Sequence, residues 1–331
     1  MKILIYLSSV FTAILRFLPA ELSHKLALEG LNLLYKAGIQ LIKNENEDNL
    51  VLLNLNFRNK LGLAAGLDKN GDYIECLDSL GFGFIELGTV TPRPQKGNKR
   101  PRLFRVKSKE ALVNSMGFNN KGVSYLVSKV KNIKIKSKIG ISIGKNFDTP
   151  IEDSLNDYKF CLEAVYQYAD YVAVNISSPN TVGLRDLETA KYFETLIVEL
   201  KALQDNLSSK HGHKPLLIKI SPDITDKDLM DVARISKNNG IDGIIATNTT
   251  TSHVYKNFKG GLSGRPLFEI SNKILANLRS IVGPEFLLIG SGGVMSKVMY
   301  EKKIEQGADL VQIYTGIIYK GPALVDKIIN G

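Results

Sequence analysis

From Leu61 onward, apolar runs of strand length recur in the order "LGLAAGLD", "FGFIELGTV", "IGISIGKN", "YVAVNISS", "LLIKISPD", "DGIIATNTT", "FLLIGSGG" and "LVQIYTG". Runs without polar alternation are buried on both faces, as strands of a parallel sheet are. Between them lie stretches such as "DYIECLDSLG", "SLNDYKFCLEAVYQYA", "ETLIVELKALQDNL", "TDKDLMDVARISKNNG" and "MSKVMYEKKIEQGA". Each is apolar at helical spacing and closes on Gly or a polar turn. Strand and helix alternating in this way predict an α/β fold, the (β/α)8 TIM barrel, whose reactive groups gather at the C-terminal strand ends. The segment between Lys96 and Lys121 is a long insertion that predicts a short hairpin in "RLFRVKSKEALVNSMGF", and "ALVDKIING" reads as the last helix.

Ahead of the barrel, Ile3, Leu4, Leu7, Val10, Phe11, Ile14, Leu15 and Leu18 repeat at helical spacing, with Ser8, Ser9, Thr12 and Arg16 on the other face. Pro19 breaks this helix, and Leu22, Leu26, Leu28, Leu31, Leu34 and Tyr35 mark a second. The first apolar stretch is shorter than the ~20 residues a bilayer span needs, and Arg16 lies inside it. A signal peptide would bring a small-residue cleavage site and a Cys-richer mature chain, and neither is evident. The pattern therefore predicts an amphipathic helical pair, residues 1–45, that docks on a barrel of residues 46–331 and can also lie on a membrane surface.

Forty-three Lys and Arg against thirty-three Asp and Glu give a formal charge of +10. That balance suits an anionic contact, nucleic acid or phospholipid headgroups, although most such charge is solvated surface. It concentrates between Arg93 and Lys109 and in "KVKNIKIKSK", Lys129 to Lys138. Cys76 and Cys161 are too few for a disulfide framework and lack metal-site spacing, so no metal is expected and a reducing compartment is.

The strand ends carry the candidate chemistry: Gly66, Asp68 and Lys69; Thr89; Ser142, Lys145 and Asn146; Asn175 and Ser178; Lys219; Thr247, Asn248 and Thr249; Gly292 and Gly293; Tyr314 and Thr315. They predict one mouth rich in amides, hydroxyls and lysines, with Asp68 and Asp223 as its few carboxylates. Asparagines offer donor and acceptor together, which suits a planar ligand with an alternating edge such as a pyrimidine. Asn114, Asn175, Asn180 and Asn248 are candidates. "GSGGV", "YTG" and "GGLSGRP" predict a phosphate cradle of backbone N–H groups and hydroxyls after the last strands. Lys69 and Lys219 are placed to hold an anion or to form a Schiff base.

Taken together, "GLAAGLDKNG", "GTVTPRPQKGNKRPRLFR", "NSMGFNNKG", "GKNFDTPIEDSLNDY", "NISSPNTVGLR", "KISPD", "ATNTT", "GGLSGRPL" and "VQIYTG" resemble the dihydroorotate dehydrogenase family, in its membrane-associated, quinone-dependent class, over essentially the whole chain. The resemblance implies an FMN cofactor contacted by Ala65, Gly66, Leu67, Asp68, Lys69, Thr89, Ser142, Asn175, Lys219, Thr247, Gly264, Gly293, Tyr314 and Thr315. It implies that dihydroorotate is held by Lys69, the loop Asn114, Ser115, Met116, Gly117 and Phe118, and by Asn175, Asn180, Asn248 and Thr249. Ser178 matches the catalytic base, where the soluble class has cysteine, and Thr181 would relay its proton. His24, Arg105 and Tyr314 would lie along the quinone passage. The family more often has asparagine at Ser142, so a water could bridge the shorter serine to the cofactor.

The implied reaction oxidises dihydroorotate to orotate in pyrimidine biosynthesis and ends on ubiquinone or menaquinone. The expected protein is a monomer without a nucleic-acid partner, peripheral on the cytoplasmic face of a bacterial inner membrane. Two other classes fit parts of the pattern. A tRNA-modifying flavoprotein would suit the charge but would be expected to carry a further C-terminal RNA-binding domain. A phosphate-binding lyase would use Lys219 as Schiff base and hold no flavin.

Overall fold

The computed structural model describes residues 2–43, 50–181, 183–255 and 257–331. Two helices come first, α1 (Lys2–Leu15) and α2 (Ala20–Lys36), followed by a small antiparallel hairpin, β1 (Leu50–Leu52) and β2 (Leu55–Phe57). The next elements are β3 (Leu61–Leu63), α3 (Ile74–Asp78), β4 (Phe84–Val90), β5 (Leu103–Val106), β6 (Ala111–Asn114), α4 (Val123–Val130) and β7 (Lys138–Ile143). They continue as α5 (Ser154–Val165), β8 (Tyr171–Asn175), α6 (Ala190–His211), β9 (Leu216–Ile220), α7 (Asp226–Asn238) and β10 (Gly243–Ala246). The chain completes with β11 (Gly261–Gly264), α8 (Phe268–Val282), β12 (Leu287–Ser291), α9 (Lys297–Glu305), β13 (Leu310–Ile313), α10 (Thr315–Lys320) and α11 (Pro322–Ile329).

Eight parallel strands close in the order β3, β4, β7, β8, β9, β10, β12, β13 and back to β3. These are the eight runs read from the sequence, so the expected barrel is present. The expected hairpin is β5–β6, and it gains a third strand, β11, formed by part of "GGLSGRP". That motif is therefore more than a loop: Gly261 to Gly264 pair with Asn114 to Ala111 and tie the insertion to the mouth. The expected division at residues 45 and 46 lies outside the described residues.

Inside a barrel every second strand residue points to the axis. At the bottom these residues are apolar: Phe84, Tyr171, Ala173, Leu217, Ile245, Leu287, Ile289 and Leu310 form one cluster. Leu50, Leu52, Leu53 and Leu55 of the β1–β2 hairpin pack under it, and Phe57 meets Phe84 edge to face at 5.8 Å. The hairpin is thus a plug at the N-terminal end of the barrel. Two glycines make room for the large rings: a Cβ at Gly62 would lie 2.2 Å from the Phe84 ring, and one at Gly140 would lie 2.1 Å from that of Tyr171.

The amphipathic pair packs on the barrel's side, but the stripe that faces inward on α1 is its small, polar one. Ser8, Ser9 and Thr12 satisfy their hydroxyls on the helix's own carbonyls, which lets this face pack closely. α1 sits against α10 and α11, and Thr12 meets Gly321, where a Cβ would come within 2.6 Å of its Oγ1. Ile3, Tyr6, Ile14 and Phe17 are left strongly exposed, Phe17 at 83 %. Among the described residues no helix is long and apolar enough to cross a membrane.

The barrel's steric economy is testable at Gly140. Gly140→Ala is expected to destabilise the protein by about 1–3 kcal/mol, because Tyr171 is fully enclosed and cannot yield. The check is a thermal or urea unfolding curve, and an unchanged midpoint would contradict this packing.

Candidate active site and its apolar neighbour

Above the apolar layer, the same inward positions become charged and polar. Glu86 of β4 is 1 % exposed and accepts hydrogen bonds from Gln312 Nε2 at 2.7 Å and Tyr171 Oη at 3.1 Å. Lys219 Nζ meets its other oxygen at 3.3 Å. Burial and the neighbouring carboxylate hold the Tyr171 phenol well above its usual range, so it stays a donor. Sequence reading missed Glu86 and Gln312. The alternation along "FGFIELGTV" and "LVQIYTG" does place them two residues above Phe84 and Leu310, inside the barrel.

The mouth lies over this floor. Its lining brings together Ala65, Gly66, Lys69, Thr89, Asn114, Met116, Gly117, Phe118, Asn175, Ser178, Asn180, Lys219, Thr247, Asn248, Thr249, Gly264, Gly292, Gly293, Tyr314 and Thr315. A chain of side chains crosses it: Asn248 Nδ2 donates to Asn175 Oδ1 at 3.3 Å, and Asn175 Nδ2 donates to Thr89 Oγ1 at 2.9 Å. Thr89 Oγ1 is 2.9 Å from Ser142 Oγ. Ser142 is itself fully buried and reaches the mouth through Thr89. Asn180 Nδ2 donates to Asn114 Oδ1 at 3.2 Å and links the loop after β8 to the β6 end.

Other predicted residues lie elsewhere. Leu67 faces a second, apolar cavity, and Asp68 caps the turn after β3 by accepting the Asp72 and Tyr73 N–H groups. Ser115 donates its backbone N–H to Arg102, and Thr181 is buried in its loop, neither lining the mouth. Lys145 and Asn146 do not converge on the mouth as expected. Lys145 is spent on the carbonyls of Asn146 and Thr149, and Asn146 on Arg93 and Gln95. Asp223 is held by Arg185, Thr250 and Thr251 outside the lining.

Lys69 donates to the Gly66 carbonyl at 3.0 Å. Burial, then the Arg102 charge, lowers its pKa to about 8, with Glu21 and Asp68 working against them. Ser178 Oγ accepts the Asn180 N–H at 3.3 Å, a local turn that holds the hydroxyl at the lining. The loop bearing it is anchored by Arg185, another residue sequence reading did not single out. Arg185 donates to the Ser177 carbonyl at 3.1 Å, the Thr249 carbonyl at 2.8 Å and Asp223 Oδ2 at 2.8 Å.

The second cavity, about 480 Å³, lies between α1, α2 and the barrel and is lined by Leu7, Phe11, Leu15, Leu28, Leu31 and Leu34 among others. That size is ordinary for a small-molecule site. His24 and Arg105 also line it. Burial, then the nearby Lys69 charge, lowers the His24 pKa to about 4, so its imidazole is neutral near pH 7. Arg105 donates one guanidinium N–H to the Leu18 carbonyl at 2.6 Å, while its Nε is buried without a partner among the described residues. Tyr314 lines the mouth instead, and its ring would be 3.3 Å from a Cβ at Gly66. The two chambers share a wall: Gly66 lines one and Leu67 the other, as do Gly316 and Ile317.

A closed parallel barrel with lysines, amides and a glycine-rich cradle at its C-terminal mouth defines an enzyme of the TIM-barrel class. The family model for dihydroorotate dehydrogenase matches residues 49–331, and the chain belongs to that family. It is 47 % identical over 322 residues to a dihydroorotate dehydrogenase (quinone) of Vibrio parahaemolyticus, covering 95 % of this chain and 96 % of that one. A protein of the same name from Neisseria meningitidis is 46 % identical, with 96 % and 97 % covered. Among solved structures, the ligand-free enzyme of Eimeria tenella superposes with a TM-score of 0.83 at 32 % identity, over 92 % of each chain.

Arg185 gives this site its test. Charge-assisted hydrogen bonds contribute about 1.5–3 kcal/mol each. Arg185→Ala is therefore expected to speed amide exchange across residues 177–181 about tenfold or more, read by deuterium-exchange mass spectrometry. Exchange unchanged in that loop would show that other contacts hold it.

Proposed function

We propose that the chain oxidises dihydroorotate to orotate with FMN bound in the barrel mouth, and that electrons pass to a membrane quinone held in the apolar cavity. The observation that carries this reading is the pair of chambers of opposite polarity across one wall, in a member of this family. The reaction serves pyrimidine biosynthesis.

The residues present fit FMN. An anionic end suits Gly264, Gly293 and Thr315, where backbone must approach closely. A Cβ at Gly293 would lie 2.5 Å from Phe268 Cα, and one at Gly264 would lie 2.3 Å from the Glu110 carbonyl. A ring with polar edges suits Lys219, Asn175, Thr89 and Thr247. Gln312 Oε1, buried at the floor and without a partner among the described residues, offers one more acceptor. When bound, FMN supplies acceptance of two electrons from one substrate and their delivery to another. Leu67 and Asp68 do not line the mouth and are left out of this set, and Ser142 acts through Thr89.

Oxidation of dihydroorotate removes a proton from carbon 5 and a hydrogen with two electrons from carbon 6. Ser178 is the proposed base for the carbon 5 proton. A hydroxyl is weakly basic, so the proton must leave it at once, by way of Thr181 and water. Lys69, mostly protonated near pH 7 with its pKa of about 8, stabilises charge developing on the adjacent carbonyl oxygen. Asn114, Asn180, Asn248 and Thr249 orient the ring, with Met116, Gly117 and Phe118 over it. At the other chamber, the unpaired Arg105 Nε offers a donor to a quinone carbonyl, beside neutral His24.

The exposed apolar stripe of α1 supports a peripheral seat on the lipid surface, which in a bacterium is the inner membrane's cytoplasmic face. Phospholipid is then the anionic partner that the +10 charge suits.

An anaerobic visible spectrum tests the central reading. The purified protein should show flavin absorbance that dihydroorotate bleaches and a ubiquinone analogue restores. No flavin after FMN reconstitution would overturn it. Ser178→Ala is expected to slow the bleaching about 10²–10⁴-fold with FMN still bound; unchanged kinetics would remove Ser178 from the role.

The apolar chamber has its own test at Gly30, which lines it and whose Cβ would sit 3.7 Å from Phe11. Gly30→Phe should fill the chamber, raising the KM for the quinone analogue while leaving bleaching by dihydroorotate unaltered. Equal effects on both steps would argue against a separate quinone chamber.

A further inference from the structure

Lys303, on α9, is fully buried, although none of the residues proposed for the reaction needs it there. Among the described residues no carboxylate pairs with it. Its ammonium donates to Ser271 Oγ at 2.8 Å and Asn272 Oδ1 at 2.9 Å, both neutral, and lies 5.5 Å from the centre of the Phe268 ring. Burial lowers its pKa to about 7, with Glu269 pulling the other way. A buried lysine without a counter-charge is costly, and its stem is seated by design: a Cβ at Gly290 would overlap it at 2.8 Å.

The direction of its contacts shows what the charge serves. Ser271 Oγ, which accepts from Lys303, also lies 3.2 Å from the Gly292 carbonyl and 2.9 Å from that of Phe268. The Gly292 carbonyl and the Gly293 N–H belong to one planar trans peptide, so they point in opposite directions. Holding the carbonyl against α8 turns the N–H away from α8. Gly292 and Gly293 both line the mouth and both have positive φ, 118° and 79°, a conformation open to glycine and strained for any residue with a Cβ. The first residue of α8, Phe268, abuts Gly293, so that helix's positive end lies at the same place.

We propose that Lys303 is a positioning residue for the phosphate of the cofactor: through Ser271 it fixes the Gly292–Gly293 peptide with its N–H toward the phosphate, and it places behind that cradle a buried amine that the phosphate's charge would keep protonated. This rests on the FMN reading. It assigns to α9, outside the strand-end loops, a part in anion binding.

The test compares two flavins that differ only in phosphate. Full-length protein stripped of flavin is titrated with FMN and with riboflavin, following quenching of flavin fluorescence. Lys303→Met keeps the volume and removes the charge, so it should weaken FMN about tenfold or more while leaving riboflavin within about twofold. Ser271→Ala should weaken FMN in the same selective way, and it carries the test alone if Lys303→Met does not fold. FMN affinity unchanged in the variants, or FMN and riboflavin weakened equally, would overturn the proposal. A wild-type protein that takes up no FMN would sink the flavin reading and this inference with it. Normal FMN uptake by the wild type beside equal uptake by the variants would sink this inference alone.

Discussion

The carboxylate of Glu86 determines where the apolar part of the barrel ends. A carboxylate in so enclosed a place is tolerable only if its oxygens are fully engaged, and removal of a partner from a buried pair costs about 3–5 kcal/mol. Its partners come from three further strands: Tyr171 on β8, Lys219 on β9 and Gln312 on β13. One residue thus fixes the relative height of four strands around the closed ring. Below it the interior is hydrocarbon and plugged by the β1–β2 hairpin. Above it Lys219 is presented, upright and paired, to whatever occupies the mouth.

That floor lets one fold keep two solvents apart. The mouth is walled by amides, hydroxyls and backbone N–H groups, while the neighbouring cavity is mostly apolar, with His24 and Arg105 among its few polar groups. The division is only a residue thick, because consecutive residues Gly66 and Leu67 face opposite ways. The insertion joins both sides. Arg102, next to β5, pairs with Glu21 of α2 and accepts the Ser115 N–H on its carbonyl, so one residue ties the helical pair to the Asn114–Phe118 loop.

Much of this was legible in the sequence. The eight barrel strands announce themselves because a doubly buried strand tolerates few polar residues, and the strand-end positions follow from the topology. Most predicted mouth residues, from Ala65 to Thr315, line the cavity. What escaped was long-range. Glu86 sits in an apolar run and looks like an interruption until its three partners, 85 to 226 residues away, are known. Lys145 and Asn146 have the right types at a strand end, yet local carbonyls claim them. Strand β11 escaped because a strand rich in glycine gives no hydrophobic signal. Which way α1 would face was also hidden, since periodicity defines a stripe without saying what covers it.

The orientation of α1 has a consequence for how the protein behaves once removed from its cell. A helix seated at Thr12 on Gly321 leaves much of its oily side outward, so in plain buffer that side has no solvent suited to it. Copies of the chain would then serve one another as the missing hydrocarbon, and turbidity would rise with concentration. On the proposed membrane reading, that stripe is where lipid, or detergent in its place, would sit.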